Sequence, residues 1–185
     1  LIGAATKNHF QRAMTKLILS GQFQKPSPEA LVSKVHAEVT GPLLKVERFV
    51  SLHSGRFDLK RRQLDLVNCG HMPVIWFQKQ SKTLELRFPK HAPLGVNERE
   101  IYHQETISFS PGDLFVFFSD GITEARDEAG EFYGQPRLEE FVKAHANQDP
   151  EPFLAALYQD IKVFMGKAML HDDLTCIAVK IAEEE

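Results

Sequence analysis

The chain sets acidic residues at two points where an apolar run meets a turn. The first is Phe117-Phe118-Ser119-Asp120-Gly121, a carboxylate closing the unbroken run Leu114-Phe115-Val116-Phe117-Phe118. An ionised carboxylate deprived of water is costly, so Asp120 must sit at a wet strand end, accept hydrogen bonds or face a cation. Gly121 beside it permits a sharp turn and a close approach of backbone. The second point is His171-Asp172-Asp173-Leu174-Thr175, at the entrance of the last apolar run. Successive side chains of extended backbone point to opposite faces, so Asp172 and Asp173 would not both aim at one point. One could ligate a metal while the other supports it or faces solvent. Taken singly, both features have a plainer account, Asp120 as a turn cap and 171–173 as an acidic loop. The turn Asn68-Cys69-Gly70-His71-Met72-Pro73 adds His71, a possible acid or ligand. A lone histidine beside glycine is more often a hydrogen-bonded turn residue.

Other chemistries lack their local patterns. Ser119 lies in no G-x-S-x-G elbow, and the chain has neither a phosphate-cradling G-x-x-x-x-G-K-[ST] nor a dinucleotide G-x-G-x-x-G. The remaining histidines form no HExxH pair. Cys69 and Cys176 are too far apart in sequence for zinc spacing or a disulfide framework and read as small buried residues of a reducing compartment. What survives is a carboxylate set, suited to hard, oxygen-preferring cations such as magnesium or manganese.

The elements that must position these acids are legible from periodicity. Phe10, Ala13, Met14, Leu17 and Ile18 share one face of a helix already running near residue 1, without a start signal. Ser27-Pro28 caps a second helix with Leu31, Val32, Val35 and Val39 as its buried stripe, ending at Gly41-Pro42. Short strands are expected at about 48–58, 63–68, 73–78, 83–88, 100–109 and 113–118, with hairpin turns at 58–63 and around 80–82 and a turn at Pro111-Gly112-Asp113. Helical spacing returns after Pro136 and after Asp149-Pro150, and a last strand runs from Leu174 to Ile181. Helices at both ends of a block of consecutive strands predict an α+β fold with antiparallel sheets.

Composition is consistent with one well-cored domain over 1–185: 43% of the residues are hydrophobic, including 14 Phe. The formal charge of -3 disfavours a nucleic-acid partner, and Lys60-Arg61-Arg62 reads as a solvated hairpin tip. The terminal Glu183-Glu184-Glu185 reads as a solvated tail. No apolar stretch approaches a membrane span and no secretion signal opens the chain, so a cytoplasmic location is expected.

Taken in order, five segments resemble the SpoIIE/RsbU branch of the metal-dependent protein phosphatases. Leu66-Val-Asn-Cys-Gly-His-Met-Pro resembles that family's N-A-G-H-x-P turn, and Ala92-Pro-Leu-Gly-Val its P-L-G segment. Gly112-Asp-Leu-Phe-Val-Phe-Phe-Ser-Asp-Gly-Ile-Thr-Glu-Ala-Arg resembles its G-D-x-L-x-x-x-S/T-D-G-x-x-E-A-R stretch. Glu131-Phe-Tyr-Gly resembles the following G-E-x-F/Y-G element, and His171-Asp-Asp-Leu-Thr the terminal D-D-x-T motif. Each is weak alone, but five in the right order move Asp120 and Asp172 from turn residues to site residues.

The resemblance implies an antiparallel β-sandwich flanked by helices, αββα, with a two-metal Mn2+ or Mg2+ centre at one edge. Asp120 and Asp172 would be the catalytic metal ligands, with Asp173 supporting them from behind. The implied reaction is metal-assisted hydrolysis of phosphoserine or phosphothreonine on a regulatory protein, such as an anti-anti-sigma factor in partner switching, under an upstream sensory or receiver domain. One departure matters: the family's G-D-x-S/T-G-x-G motif, whose Asp bridges both metals, is absent, and residues 1–10 resemble the helix that follows it. A chain truncated before its first ligand is therefore expected, and expected to be a poor enzyme alone. Two other readings are weighed: a non-catalytic interaction module that keeps the fold, and, more weakly, a metal-dependent nuclease, which the negative charge disfavours.

Overall fold

The computed structural model describes residues 2–20 and 25–182; Glu183-Glu184-Glu185 lie outside the described residues. The two amphipathic patterns at the start become α1 (Ile2–Ser20) and α2 (Pro28–Lys45). Ser27 caps α2 through its side chain, accepting from the Ala30 amide at 3.1 Å. Leu31, Val32, Val35 and Val39 are buried as the spacing predicts, joined by Ala13 of α1. Met14 of the predicted α1 face is instead exposed. The helix α2 also passes through Gly41-Pro42 rather than ending there. Its extra turn brings Leu43 into the cluster around Val35 and Val39, a burial worth about 1.5–3 kcal/mol, comparable to the cost of an internal proline.

The strands are β1 (Leu52–Asp58), β2 (Gln63–Cys69), β3 (Val74–Gln78), β4 (Thr83–Arg87), β5 (Glu105–Ser108), β6 (Leu114–Phe118) and β7 (Cys176–Lys180). Between β6 and β7 lie α3 (Asp120–Thr123), α4 (Gly134–His145) and α5 (Pro150–Met165). The antiparallel strands form two sheets, ordered β1-β2-β5 and β4-β3-β6-β7. The fold is α+β with two antiparallel sheets and helices, as expected.

Strands β1 and β5 are shorter than the pattern predicts. Residues 100–104 do not pair: the His103 amide donates to His91 Nε2 and the Gln104 amide to Glu29 Oε2, so side chains have taken the donors a ladder would use. Residues 48–51 contribute only an isolated bridge between Val50 and Leu94. The Lys60-Arg61-Arg62 tip is exposed, as expected for a solvated hairpin.

The chain divides into two compact units, each built on one sheet: Leu1–His71 with Pro89–Ser108, and Met72–Phe88 with Phe109–Glu185. In the first, α1 and α2 pack with Val67 and Cys69 of β2 and with Leu94 and Tyr102. In the second, Leu114, Val116 and Phe118 of β6 pack with Ile75 and Phe77 of β3, with Leu138, Phe141 and Val142 of α4 and with Phe153, Leu157, Ile161 and Met165 of α5. The last four recur every fourth residue, one helical face. Burial pushes both the Cys69 and Cys176 thiols up to about 12, so neither is a thiolate near neutral pH.

Candidate active site

The site lies in the second unit and follows from one pairing. Strands β6 and β7 are antiparallel neighbours, with Phe118 opposite Cys176 and Leu114 opposite Lys180. The residues that follow β6 and those that precede β7 therefore meet at one end of the sheet. Asp120 is two residues past β6; Asp172 and Asp173 come shortly before β7.

Ser119 ties the two segments together. Its amide donates to the Thr175 carbonyl at 3.0 Å. Its hydroxyl donates to the Asp173 carbonyl and accepts from the Thr175 amide, both at 3.1 Å. These bonds also explain why β7 starts at Cys176 rather than Leu174: the Thr175 amide is taken by a side chain instead of a ladder partner. Asp172 and Asp173 thus lie in a loop, and the alternation of strand side chains used to separate their directions does not apply there. Instead the Asp172 Oδ1 accepts from the Asp173 amide at 2.7 Å.

Asp120 opens α3, a single helical turn where the sequence predicts only a sharp turn. Its carbonyl accepts from the Glu124 amide at 2.8 Å and from the Thr123 hydroxyl at 3.2 Å. Its Oδ1 accepts from the Gly121 amide at 3.0 Å. Gly121 is required by space: a methyl group there would lie 2.4 Å from the Asp173 carbonyl oxygen and 3.6 Å from Asp172 Cβ. The absent side chain is what lets the Asp120 turn press against the Asp172 loop.

Asp120, Asp172 and Asp173 are all exposed. Beside them a cavity of about 470 Å3 is lined by Gly121, Glu124, Ala125, Arg126, Leu170, His171 and Asp172. Glu124 and Arg126 were legible only as part of a Glu-Ala-Arg run and were not singled out by sequence reasoning. Arg126 is held by the Gly130 carbonyl at 3.1 Å and lies 4.2 Å over the Phe132 ring. Ser119, considered as a nucleophile and set aside, is the latch of the site; a serine at the junction of a strand and a helical turn was the available signal.

His71 is occupied locally. Its amide donates to Asn68 Oδ1 at 2.9 Å, its Nδ1 shares a hydrogen bond with the Ser51 hydroxyl at 2.9 Å, and its ring stands edge-on to His53. It is the hydrogen-bonded turn residue that its place beside glycine predicts.

The donor set can be compared with what a hard cation needs. Carboxylate oxygens on Asp120 and Asp172 suit Mg2+ or Mn2+, which take about six oxygen ligands. Among the described residues no group of three or more His, Cys, Asp or Glu converges to hold a metal ion. In donor chemistry these carboxylates fit such a cation, and they would supply only part of its coordination.

Two antiparallel sheets with helices, and acids gathered at one sheet end, define a chain with the PP2C phosphatase fold. The SiaA-PP2C domain of Pseudomonas aeruginosa superposes with a TM-score of 0.79 at 17% identity, covering 98% of this chain and 71% of that one. The Mn-presoaked phosphatase domain of SpoIIE from Bacillus subtilis superposes with a TM-score of 0.62 at 14% identity, covering 97% of this chain and 74% of that one.

Residues 4–182 match the family described as Stage II sporulation protein E (SpoIIE), and the chain belongs to that family. Among curated proteins it is 26% identical over 132 residues to "Phosphoserine phosphatase RsbU" of Bacillus subtilis (strain 168) and 29% identical over 132 residues to "Protein IcfG" of Synechocystis sp.. Each match covers 71% of this chain, but only 39% of the first relative and 20% of the second. The chain is a phosphatase-type domain of the SpoIIE/RsbU kind. Among the described residues, no helix is long and apolar enough to cross a membrane.

Proposed function

We propose that residues 1–185 act as one metal-dependent serine/threonine phosphatase domain, hydrolysing the phosphoester of a small regulatory protein of the anti-anti-sigma kind in bacterial partner switching. The proposal places the chain in the cytoplasm, downstream of a sensory or receiver domain. The observation that carries it is the antiparallel pairing of β6 with β7, which puts Asp120 and Asp172 at the same sheet end. Their order and surroundings match the family's motifs.

In this reading Asp120 and Asp172 supply oxygen ligands to Mn2+ or Mg2+, and Asp173 supports them without being a direct ligand. A solved SpoIIE domain is described as Mn-presoaked, and RsbX was solved in complex with magnesium. When bound, such cations polarise phosphoryl oxygens and lower the pKa of coordinated water. The chain's own residues do the positioning. Ser119 fixes the Asp173–Thr175 backbone, and Gly121 admits the Asp172 loop. Two carboxylates offset little of the repulsion between two adjacent cations. Full activity therefore needs a further carboxylate, of the kind carried by the family's G-D-x-S/T-G-x-G motif.

The test is phosphate release from a phosphoserine protein, with manganese or magnesium, by this chain and by an N-terminally longer form containing that motif. The longer form is expected to be active and the 185-residue chain slow or inactive. Asp120→Ala in the longer form should lower kcat by roughly 1,000-fold, about 4 kcal/mol of barrier. Undiminished turnover in that variant would remove the assignment. A longer form inactive at every metal concentration would favour the interaction-module reading.

A further inference from the structure

A second cavity of the same unit, about 280 Å3, shares no lining residue with the acidic one and is lined by Phe77, Lys79, Lys82, Lys143 and Asn147. Three of these five side chains are ammonium groups and none is an acid. Lys79 and Lys82 come from the β3–β4 hairpin, Lys143 from the last turn of α4. Lys79 is the best anchored of the three. Its amide donates to the buried Asp113 Oδ1 at 3.0 Å, and its stem crosses Gly112 so closely that a methyl group there would lie 2.3 Å from Cδ.

Two acids close to these lysines in sequence or register, Glu139 and Glu85, are hydrogen-bonded to other residues. Glu139 stands four residues before Lys143, the spacing at which an acid and a lysine pair on a helix. It instead accepts from Gln135 Nε2 at 2.8 Å. Glu85, opposite Trp76 in the hairpin, accepts from Gln78 Nε2 and from Arg87 Nη2, both at 2.7 Å. The Asn147 and Gln148 carbonyls, just past α4, accept from Lys180 Nζ at 2.6 and 2.9 Å. These carbonyls therefore meet a fourth ammonium group. Neither Lys82 nor Lys143 has an acidic partner among the described residues.

A concave surface carrying one sign of charge over an apolar wall, here the buried Phe77, focuses the field and concentrates counter-ions. Repulsion among the ammonium groups is relieved when a multivalent anion enters. We propose that this cavity is a binding site for a phosphate-type oxyanion with two or more negative charges, held by Lys79, Lys82 and Lys143. Lysine serves such ligands as a compact point charge with three donors. The chemistry is shared by free pyrophosphate and by a phosphomonoester, so the test carries one arm for each.

Pyrophosphate, and separately O-phosphoserine, is titrated into the 15N-labelled chain at constant ionic strength, with chloride as the balancing ion, and amide shifts are followed by NMR. At least one of the two should give saturable shifts at residues 79, 82, 143 and 147. A Lys82→Gln/Lys143→Gln double variant with a native-like spectrum should weaken apparent affinity at least tenfold. Lys60→Gln, at the tip of the β1–β2 hairpin, should change it less than twofold. Saturation with pyrophosphate alone would identify a free-anion site, and saturation with both would extend it to phosphomonoesters. Non-saturating shifts with both ligands, undiminished binding by the double variant, or an equal loss in Lys60→Gln would overturn the proposal. None of these outcomes depends on phosphatase activity.

Discussion

At the start of β6, Asp113 is 2% exposed and both its carboxylate oxygens are occupied. Oδ2 accepts from Trp76 Nε1 at 3.1 Å and from the Ser110 amide at 3.0 Å, and Oδ1 accepts from the Lys79 amide. Beyond the other end of the same strand, Asp120 is exposed and its carboxylate accepts the short local bond from the Gly121 amide. Both acids stand beside a glycine and border the same apolar run. What separates them is the number of donors the fold aims at each. Three N–H groups converge on the buried Asp113, which makes it a structural anchor. Asp120 keeps lone pairs facing water, as a ligand for a cation or substrate must.

That contrast breaks most visibly in paired substitutions. Asp113→Ala strands three donors in the interior and should destabilise the fold by about 3 kcal/mol, measured by denaturant unfolding. Asp120→Ala should leave the unfolding midpoint unchanged. Equal losses in the two variants would mean that Asp120 is as structural as Asp113.

Gly121→Ala tests whether the two loops must touch. The added methyl meets a backbone carbonyl, which cannot rotate away as a flexible side chain could, so a cost of about 2 kcal/mol is expected. In an active longer form the same change should also reduce phosphate release, because the loop carrying Asp172 must shift. Full stability together with full activity would show that the contact is incidental.

A smaller effect is expected from Ser119→Ala, which removes the hydroxyl shared by the Asp173 carbonyl and the Thr175 amide. Both groups lie at an exposed edge where water can replace it, so about 1 kcal/mol is the appropriate scale. Faster hydrogen exchange at the Thr175 amide would be the local signature; unchanged exchange would argue against the latch.

The mildest test uses Asp65 of the other sheet. Burial raises its pKa, but hydrogen bonds from Thr106 and Arg56 and the Arg56 charge outweigh that and hold it below the ordinary carboxylate range. A carboxyl depressed in the fold contributes stability that is present above its unfolded pKa of about 3.9 and is lost as pH falls through the folded value. Stability should therefore decline with acid below roughly pH 4, and Asp65→Asn should flatten that limb. An unaltered acid limb would show that Asp65, though buried like Asp113, adds nothing to the pH dependence.

Much of this was written locally. The four-residue repeat of Phe153, Leu157, Ile161 and Met165 is enough for a helix, because helical periodicity is a property of the chain itself. Ser27-Pro28 and Asp149-Pro150 mark helix starts for the same reason, and the apolar run ending in Ser119-Asp120-Gly121 already announced an acid that needed water or a partner. Other choices were settled only when distant segments met. Whether Pro42 ended α2 depended on Leu43 finding a buried cluster, and whether residues 100–104 formed a strand depended on the His91 and Glu29 side chains. The fate of Asp113 and Asp120 is the sharpest case. Asp113 is held by donors brought from β3, from the β3–β4 turn and from the turn before β6, whereas Asp120 accepts from the amide of its own neighbour, Gly121, and no local window of sequence contains all of those groups.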